Sequence, residues 1–460
     1  MPRKSIFLYF LVLSVCISPR FIWAEETLPG RQISEKFIAK IDSFSKLGNP
    51  FASADFKRIA YGAMVDNRWR VVVDGKEGQQ YDGIGENSLI FSPDSKRLAY
   101  TAGEGKKMFA VIDGEQGKPY DGIGIPGPTF SPDSKHVAYV ATDKKKWLVV
   151  VDGKEGQQYD GIGENSLIFS PDSKRLAYTA KKGPKILVII DGKEEKGYDL
   201  VLANTLTFSP DSKHFAYASG DDKKKFVVLD GKEGKHYDDI WSGTLTFSPD
   251  SKHLVYAAHE GRKVFIVVGG KEGKKYDVLT QSPPVFSPDG KHMAYAAGEK
   301  DKFFVVVDGK EETKYRGNYP IVFSPDSRRL AYVAQMGNRQ LLVVDGKGDK
   351  EYDKVHYITF SPDSKLMAYA SELDNKWFAV VDGKEDKRYD QVGDMIFSPD
   401  SKQLAYVAEA DEKQFVIISG KEGKRYDGIF AGKIIFDSPD TFHYLASKDN
   451  AIYFVEEKIK

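Results

Sequence analysis

The chain has 460 residues, of which 41% are hydrophobic and 13% aromatic, so it can bury a large core, and intrinsic disorder is excluded as its general state. Lys plus Arg equals Asp plus Glu at 67 each, and the formal charge of zero argues against a general nucleic-acid binder.

The chain opens as an export leader. Arg3 and Lys4 precede an apolar run from Ile6 to Ile17. Such a run suits the core of a signal peptide and is short for a membrane span, which needs about 20 apolar residues. Ile22-Trp23-Ala24 then places cleavage after Ala24, giving a leader of residues 1–24. Removing it takes out Arg3, Lys4 and Arg20 and no acid, so the processed chain carries a net charge of −3. The single cysteine, Cys16, leaves with it, and with it any disulfide, thiol nucleophile or thiolate metal site. The expected location is the periplasm, with no stable membrane insertion after cleavage. Secretion is the alternative, as is lipid anchoring through the loosely lipoprotein-like Leu13-Ser14-Val15-Cys16.

Residues 25–51 form a short N-terminal segment. Phe37, Ile38, Ile41, Phe44 and Leu47 follow helical spacing, with Ser34 as an N-cap, and predict a helix packed on the following array.

From residue 52 to 460 one unit repeats. Phe91-Ser92-Pro93-Asp94-Ser95-Lys96-Arg97-Leu98-Ala99-Tyr100 recurs with its Phe at 130, 169, 208, 247, 286, 323, 360 and 397. A degenerate copy at 52–61 and a last one at Phe436 bring the total to eleven, spaced by 39 or 37 residues. A Tyr, usually followed by Asp as in Tyr81-Asp82, lies 29 residues after the Phe position in the first ten copies. All length variation falls between that Tyr and the next Phe: ten residues in most copies, eight after Tyr315, Tyr352 and Tyr389. Residues 71–102 and 149–180 are identical, 78 positions apart, so the array grew by duplication of a two-repeat block.

Each unit reads as four strands. In the copy at Phe130, Pro128-Thr129-Phe130 ends the first, and Ser131-Pro132-Asp133-Ser134 is a turn in which Pro presets φ. His136 to Ala141 is the second strand and Trp147 to Val151 the third; Asp152-Gly153 signals a tight hairpin, and Gln157-Gln158-Tyr159 opens the fourth. A third strand that is apolar throughout implies sheets buried on both faces. Four-stranded units of about 40 residues, repeated radially, predict an all-β propeller. Eleven blades exceed the usual 4–8. They admit one large ring or two smaller ones, and the absence of any linker favours one. The last copy has room for three strands only, which a segment near the N-terminus could complete.

The motif Phe-Ser-Pro-Asp-Ser-Lys-x-Leu-Ala-Tyr resembles the WD40-like (PD40) repeat of the TolB-type propellers, found also in dipeptidyl peptidase and tricorn-type propellers. The resemblance covers roughly residues 52–455 and implies the propeller fold. This chain departs from the family pattern in carrying Ser, rather than Gly, after the Asp in most copies. Only residues 25–51 precede the array, too few for the separate domain of TolB, and the resemblance does not carry over a peptidase activity.

No catalytic residue, cofactor site or metal site is predicted. Gly122, Gly124 and Gly127 match G-x-G-x-x-G, but Pro128-Thr129-Phe130 leads into a strand and not a helix, so the match reads as a blade connector. His136, His214, His253 and His292 occupy one repeat position that Arg97 or Gln403 fills elsewhere, and read as solvated strand starts. The Asp residues recur in nearly every copy and read as turn formers. The connectors, by contrast, vary. Trp241, Tyr319, His356, Tyr357 and Phe430 sit in them and are the candidate partner-binding residues, or else tuck between blades. The expected function is a non-catalytic scaffold for another envelope protein, with a small ligand or glycan in the central channel as the alternative.

Overall fold

The computed structural model describes residues 23–28, 30–40, 50–279, 283–300, 302–312 and 316–460. The leader reading therefore lies outside the described residues, except that Trp23 and Ala24 open a strand.

The described chain is all-β, with eleven sheets. Blade 1 begins at Phe51, and blades 2 to 11 begin just after the Tyr landmark, at Gly83, Gly122, Gly161, Leu200, Asp239, Val278, Arg316, Lys354, Gln391 and Gly428. In blade 3 the innermost strand is Gly122–Ile123 continued by Thr129–Phe130, both paired with Val137–Asp143. Lys146–Val151 follows, and Lys154–Glu155 is outermost. The fourth strand thus starts earlier than Gln157; Tyr159 closes it, bridged to Trp147. Connector length decides the form of the inner strand. Ten-residue connectors split it around a turn, whereas the eight-residue ones give the continuous strands Arg316–Phe323, Lys354–Phe360 and Gln391–Phe397, each with a register shift.

Third strands are buried on both faces, as Leu148, Val149 and Val150 show. Each such side chain contributes roughly 1.5–3 kcal/mol on leaving water. Second strands place Ala and Tyr against the preceding blade, and Tyr120 meets Tyr139 edge-on at 6.3 Å. Apolar clusters join every consecutive pair of blades, two of them between blades 2 and 3, and the last closes a single ring. In it Phe56, Ile59 and Tyr61 of blade 1 meet Leu445, Ile452 and Phe454 of blade 11.

Blade 11 takes its fourth strand from the other end of the chain. Arg31–Lys40 pairs antiparallel with Ala451–Ile459, and Trp23–Leu28 adds a further strand outside it. The helix expected here is therefore wrong between residues 31 and 40; Ile41, Phe44 and Leu47 lie outside the described residues. The reason is an open sheet edge. The third strand of blade 11 presents unpaired backbone groups, and the segment supplies Ile33 and Glu35 at alternate positions for one buried face. Arg31 and Glu457 form a buried ion pair, 1% and 0% exposed, at 2.8 Å, and Tyr444 donates to the same carboxylate. Arg31 also donates to the carbonyls of Val416 and Lys421 in blade 10.

Turn chemistry ties neighbouring blades together. Asp94 accepts from the Ser92 hydroxyl, and its own amide donates to Ser134 Oγ of the next blade at 3.0 Å. Ser134 adopts φ +65, a conformation that favours Gly, and the inter-blade bond through its hydroxyl accounts for Ser there. The same bond recurs at Ser95, Ser173, Ser212, Ser251, Ser327, Ser364 and Ser401.

Candidate interaction surface

The two faces of the ring differ in chemistry. One carries the Ser-Pro-Asp-Ser and Asp-Gly turns, and its polar groups pair within the repeat and with the neighbouring blade. Asp152 accepts from the Val137 amide and lies 2.7 Å from His136 Nδ1. His214 and His292 pair in the same way with Asp230 and Asp308, and Arg97 with Asp113. These His positions are thus half-exposed partners of a turn carboxylate. Glu155 accepts from Lys118 and from the Tyr120 hydroxyl of the preceding blade, which together hold its carboxyl below the usual range. In the closing blade Glu35 takes the same register, opposite Val455 as Glu155 is opposite Val150, and accepts from Tyr426 and Lys424.

The other face carries the connectors and the loops between second and third strands. The Asp after most landmark Tyr residues is a clamp here. Asp121 accepts from Lys107 at 2.6 Å and from the Lys144 amide at 2.8 Å, and both hold its carboxyl below the usual range. Besides charged loop tips such as Lys144 and Lys145, this face exposes apolar side chains. Ile125 is 72% exposed, and Leu200, Val278, Met336 and Tyr357 are also open. Phe51 and Ile396 are exposed further along inner strands. Of the large apolar side chains exposed among the described residues, Phe37 alone lies on an outer strand, and none lies on the Ser-Pro-Asp-Ser or Asp-Gly turns.

The predicted residues divide. Trp241 is half-buried against the cluster joining blades 6 and 7, and Phe430 against the one joining blades 11 and 1. Tyr319 lies in the strand Arg316–Phe323, and its side chain is outside the described ones. His356 and Tyr357 are exposed together in blade 9, with Tyr357 44% open at φ +55. The cause is the bulge between His356 and Thr359, which re-aims the side chains of the inner strand. Their rings lie 6.0 Å apart, and His356 is 5.5 Å from Trp377. Lys354 sits 5.8 Å over the Trp377 ring and pairs with Glu372 at 2.7 Å. The result is an aromatic patch with a cation at its edge. Sequence reasoning missed Ile125, Leu200 and Val278. A signal existed for two of them, since Leu200 and Val278 replace the Gly of Gly122-Ile123 and Gly161-Ile162.

The geometry defines a class, an eleven-bladed β-propeller. No family model matches the chain, and no curated protein matches it. Solved structures similar to it include a eukaryotic initiation factor, at 14% identity over 68% of this chain and 89% of that one, with a TM-score of 0.39. TolB from Acinetobacter baumannii is similar at 15% identity over 65% of this chain and 77% of its own, with a TM-score of 0.24. A putative TolB from Agrobacterium tumefaciens is similar at 14% identity over 43% and 85%, with a TM-score of 0.24.

Proposed function

We propose that the protein is a non-catalytic, exported scaffold that binds another envelope protein through its connector face. The observation carrying this reading is the segregation of exposed apolar groups. They gather on the connectors and inner strands, while the turn face spends its polar groups on links within and between blades. Exposed aromatics beside a cation, as at His356 and Tyr357 with Lys354 over the half-buried Trp377, are typical of interface anchors. Export rests on the leader-like residues 1–24.

Tagged residues 25–460, incubated with the native envelope fraction, are expected to retain one stoichiometric protein. His356→Ala with Tyr357→Ala is expected to abolish that retention while leaving the melting temperature unchanged. Unaltered retention by the double variant contradicts the assignment of this face. A blank from folded bait contradicts the scaffold reading itself.

A further inference from the structure

The chain carries its own controls for reading one cleft. Blades 2 and 4 share an identical connector, Gly-Ile-Gly-Glu-Asn-Ser, and blade 3 between them departs from it. Where blades 2 and 4 have Glu86-Asn87-Ser88 and Glu164-Asn165-Ser166, blade 3 has Ile125-Pro126-Gly127. Where they have Thr101 and Thr179 on the second strand, blade 3 has Val140. Four positions on one connector and its facing strand have thus lost their polar groups.

The consequence is specific. In blades 2, 4, 5 and 6 a hydroxyl accepts from the second-strand amide: Ser88 from Thr101, Ser166 from Thr179, Thr205 from Ala218 and Thr244 from Ala257, all at 3.0–3.1 Å. Gly127 holds that position in blade 3 and has no hydroxyl. Its loop leans instead on blade 2, where a Cβ at Gly127 would stand 2.9 Å from Thr101 Oγ1. The Val140 carbonyl still accepts from Gly124, as the Thr179 carbonyl does from Gly163, so the Val140 amide points the same way as its counterparts. It has no acceptor among the described residues. Beside it opens a cleft of about 550 Å³ between blades 3 and 4. Val140, Ile123, Ile162, Leu167 and Trp147 form its walls, and Ile125 stands exposed at its mouth. That volume falls within the range of small-molecule sites, which are largely apolar with a few placed polar groups. An amide donor left without a partner is costly unless something accepts from it.

The geometry points to this cleft as a site for a small, uncharged, largely apolar molecule bearing one hydrogen-bond acceptor that takes the place of the missing hydroxyl against Val140. The exposed Glu164 carboxylate at the rim disfavours an anion. The site stands apart from the scaffold reading, since ligand binding and partner capture are separate measurements and either can fail alone.

The probe is 6-propionyl-2-(dimethylamino)naphthalene, a neutral aromatic ketone, titrated into residues 25–460. Saturable 1:1 binding with blue-shifted emission is expected. The propyl counterpart lacking the ketone oxygen is expected to bind about three- to ten-fold more weakly, the worth of one hydrogen bond. Ile125→Asp, at an exposed position, is expected to weaken binding about ten-fold by placing a carboxylate at the apolar mouth. Trp147→Phe is expected to remove most of the tryptophan-to-probe energy transfer. Absence of saturable binding overturns the proposal. So does equal affinity for the ketone and its counterpart, or wild-type affinity and energy transfer in both variants.

Discussion

Replacing Arg31 with Met tests how the ring is closed. Arg31 and Glu457 are both inaccessible to solvent and 2.8 Å apart. Removing one partner of a buried pair leaves the other charge uncompensated, at a cost of about 3–5 kcal/mol. The blade-10 carbonyls of Val416 and Lys421 also lose the Arg31 bond, although Val416 keeps the one from the Gly423 amide. The expected loss in urea unfolding is therefore about 3–5 kcal/mol, against a total that for folded domains is typically ~5–15 kcal/mol. Because the pair joins the N-terminal strand to blades 10 and 11, hydrogen exchange should rise first in residues 31–40 and 451–459. Adding Glu457→Gln to Arg31→Met removes the stranded charge and keeps an acceptor for Tyr444, so the double variant should recover more than about 1 kcal/mol over the single one. A single-variant cost below about 1 kcal/mol, or strictly additive effects, would refute the closure mechanism.

Ser134→Ala forfeits the inter-blade bond from Asp94 but keeps the positive φ, and should cost about 1 kcal/mol in urea unfolding. Ser134→Gly loses the same bond and relieves a left-handed conformation worth about 1 kcal/mol, so it should lie within about 0.5 kcal/mol of wild type; equal losses for Ala and Gly would contradict the role of the hydroxyl. Asp133, Asp211, Asp289 and Asp363 are pulled down to about 2, each chiefly by the preceding Ser hydroxyl and then by the amide two residues on. With folded values below the unfolded ~3.9, their stabilisation is full above about pH 4 and lost as pH falls through 2. Melting temperature should thus be level from pH 7 to 5 and fall between 4 and 2; a fall beginning near pH 6 would place the titrating groups elsewhere. Trp241→Ala should act on stability, costing about 1.5–3 kcal/mol for a half-buried side chain between blades 6 and 7, and should leave partner capture by the remaining folded protein intact.

Much of the fold is legible in the sequence because each blade repeats its own instructions. Asp-Gly at 152–153 adopts positive φ at both positions, as the hairpin signal requires. The Ser-Pro-Asp-Ser motif at 131–134 forms its turn, and the uniformly apolar third strand is buried on both faces. What escapes is non-local. Arg31–Lys40 becomes a strand because of an open edge some 420 residues away in the chain, and its local pattern around Phe37 and Ile38 fits a helix as well. The one local clue was Glu35, which imitates Glu155, and it means nothing until the register against Val455 is known. The candidate surface was legible only as variation. Trp241, Phe430 and His356 all follow a landmark Tyr by four residues. In the ten-residue connectors of blades 6 and 11 that position tucks between blades. In blade 9 the shortened connector gives a continuous strand whose bulge turns His356 and Tyr357 outward.

The most direct test of the functional account compares the two faces of one blade in the cell envelope. A photo-crosslinking amino acid is placed at Tyr357 on the inner strand of blade 9, and separately at Lys365, exposed on the turn face of the same blade. The account predicts one discrete crosslinked protein from position 357 and none from position 365. A discrete product from 365 with none from 357 would contradict it.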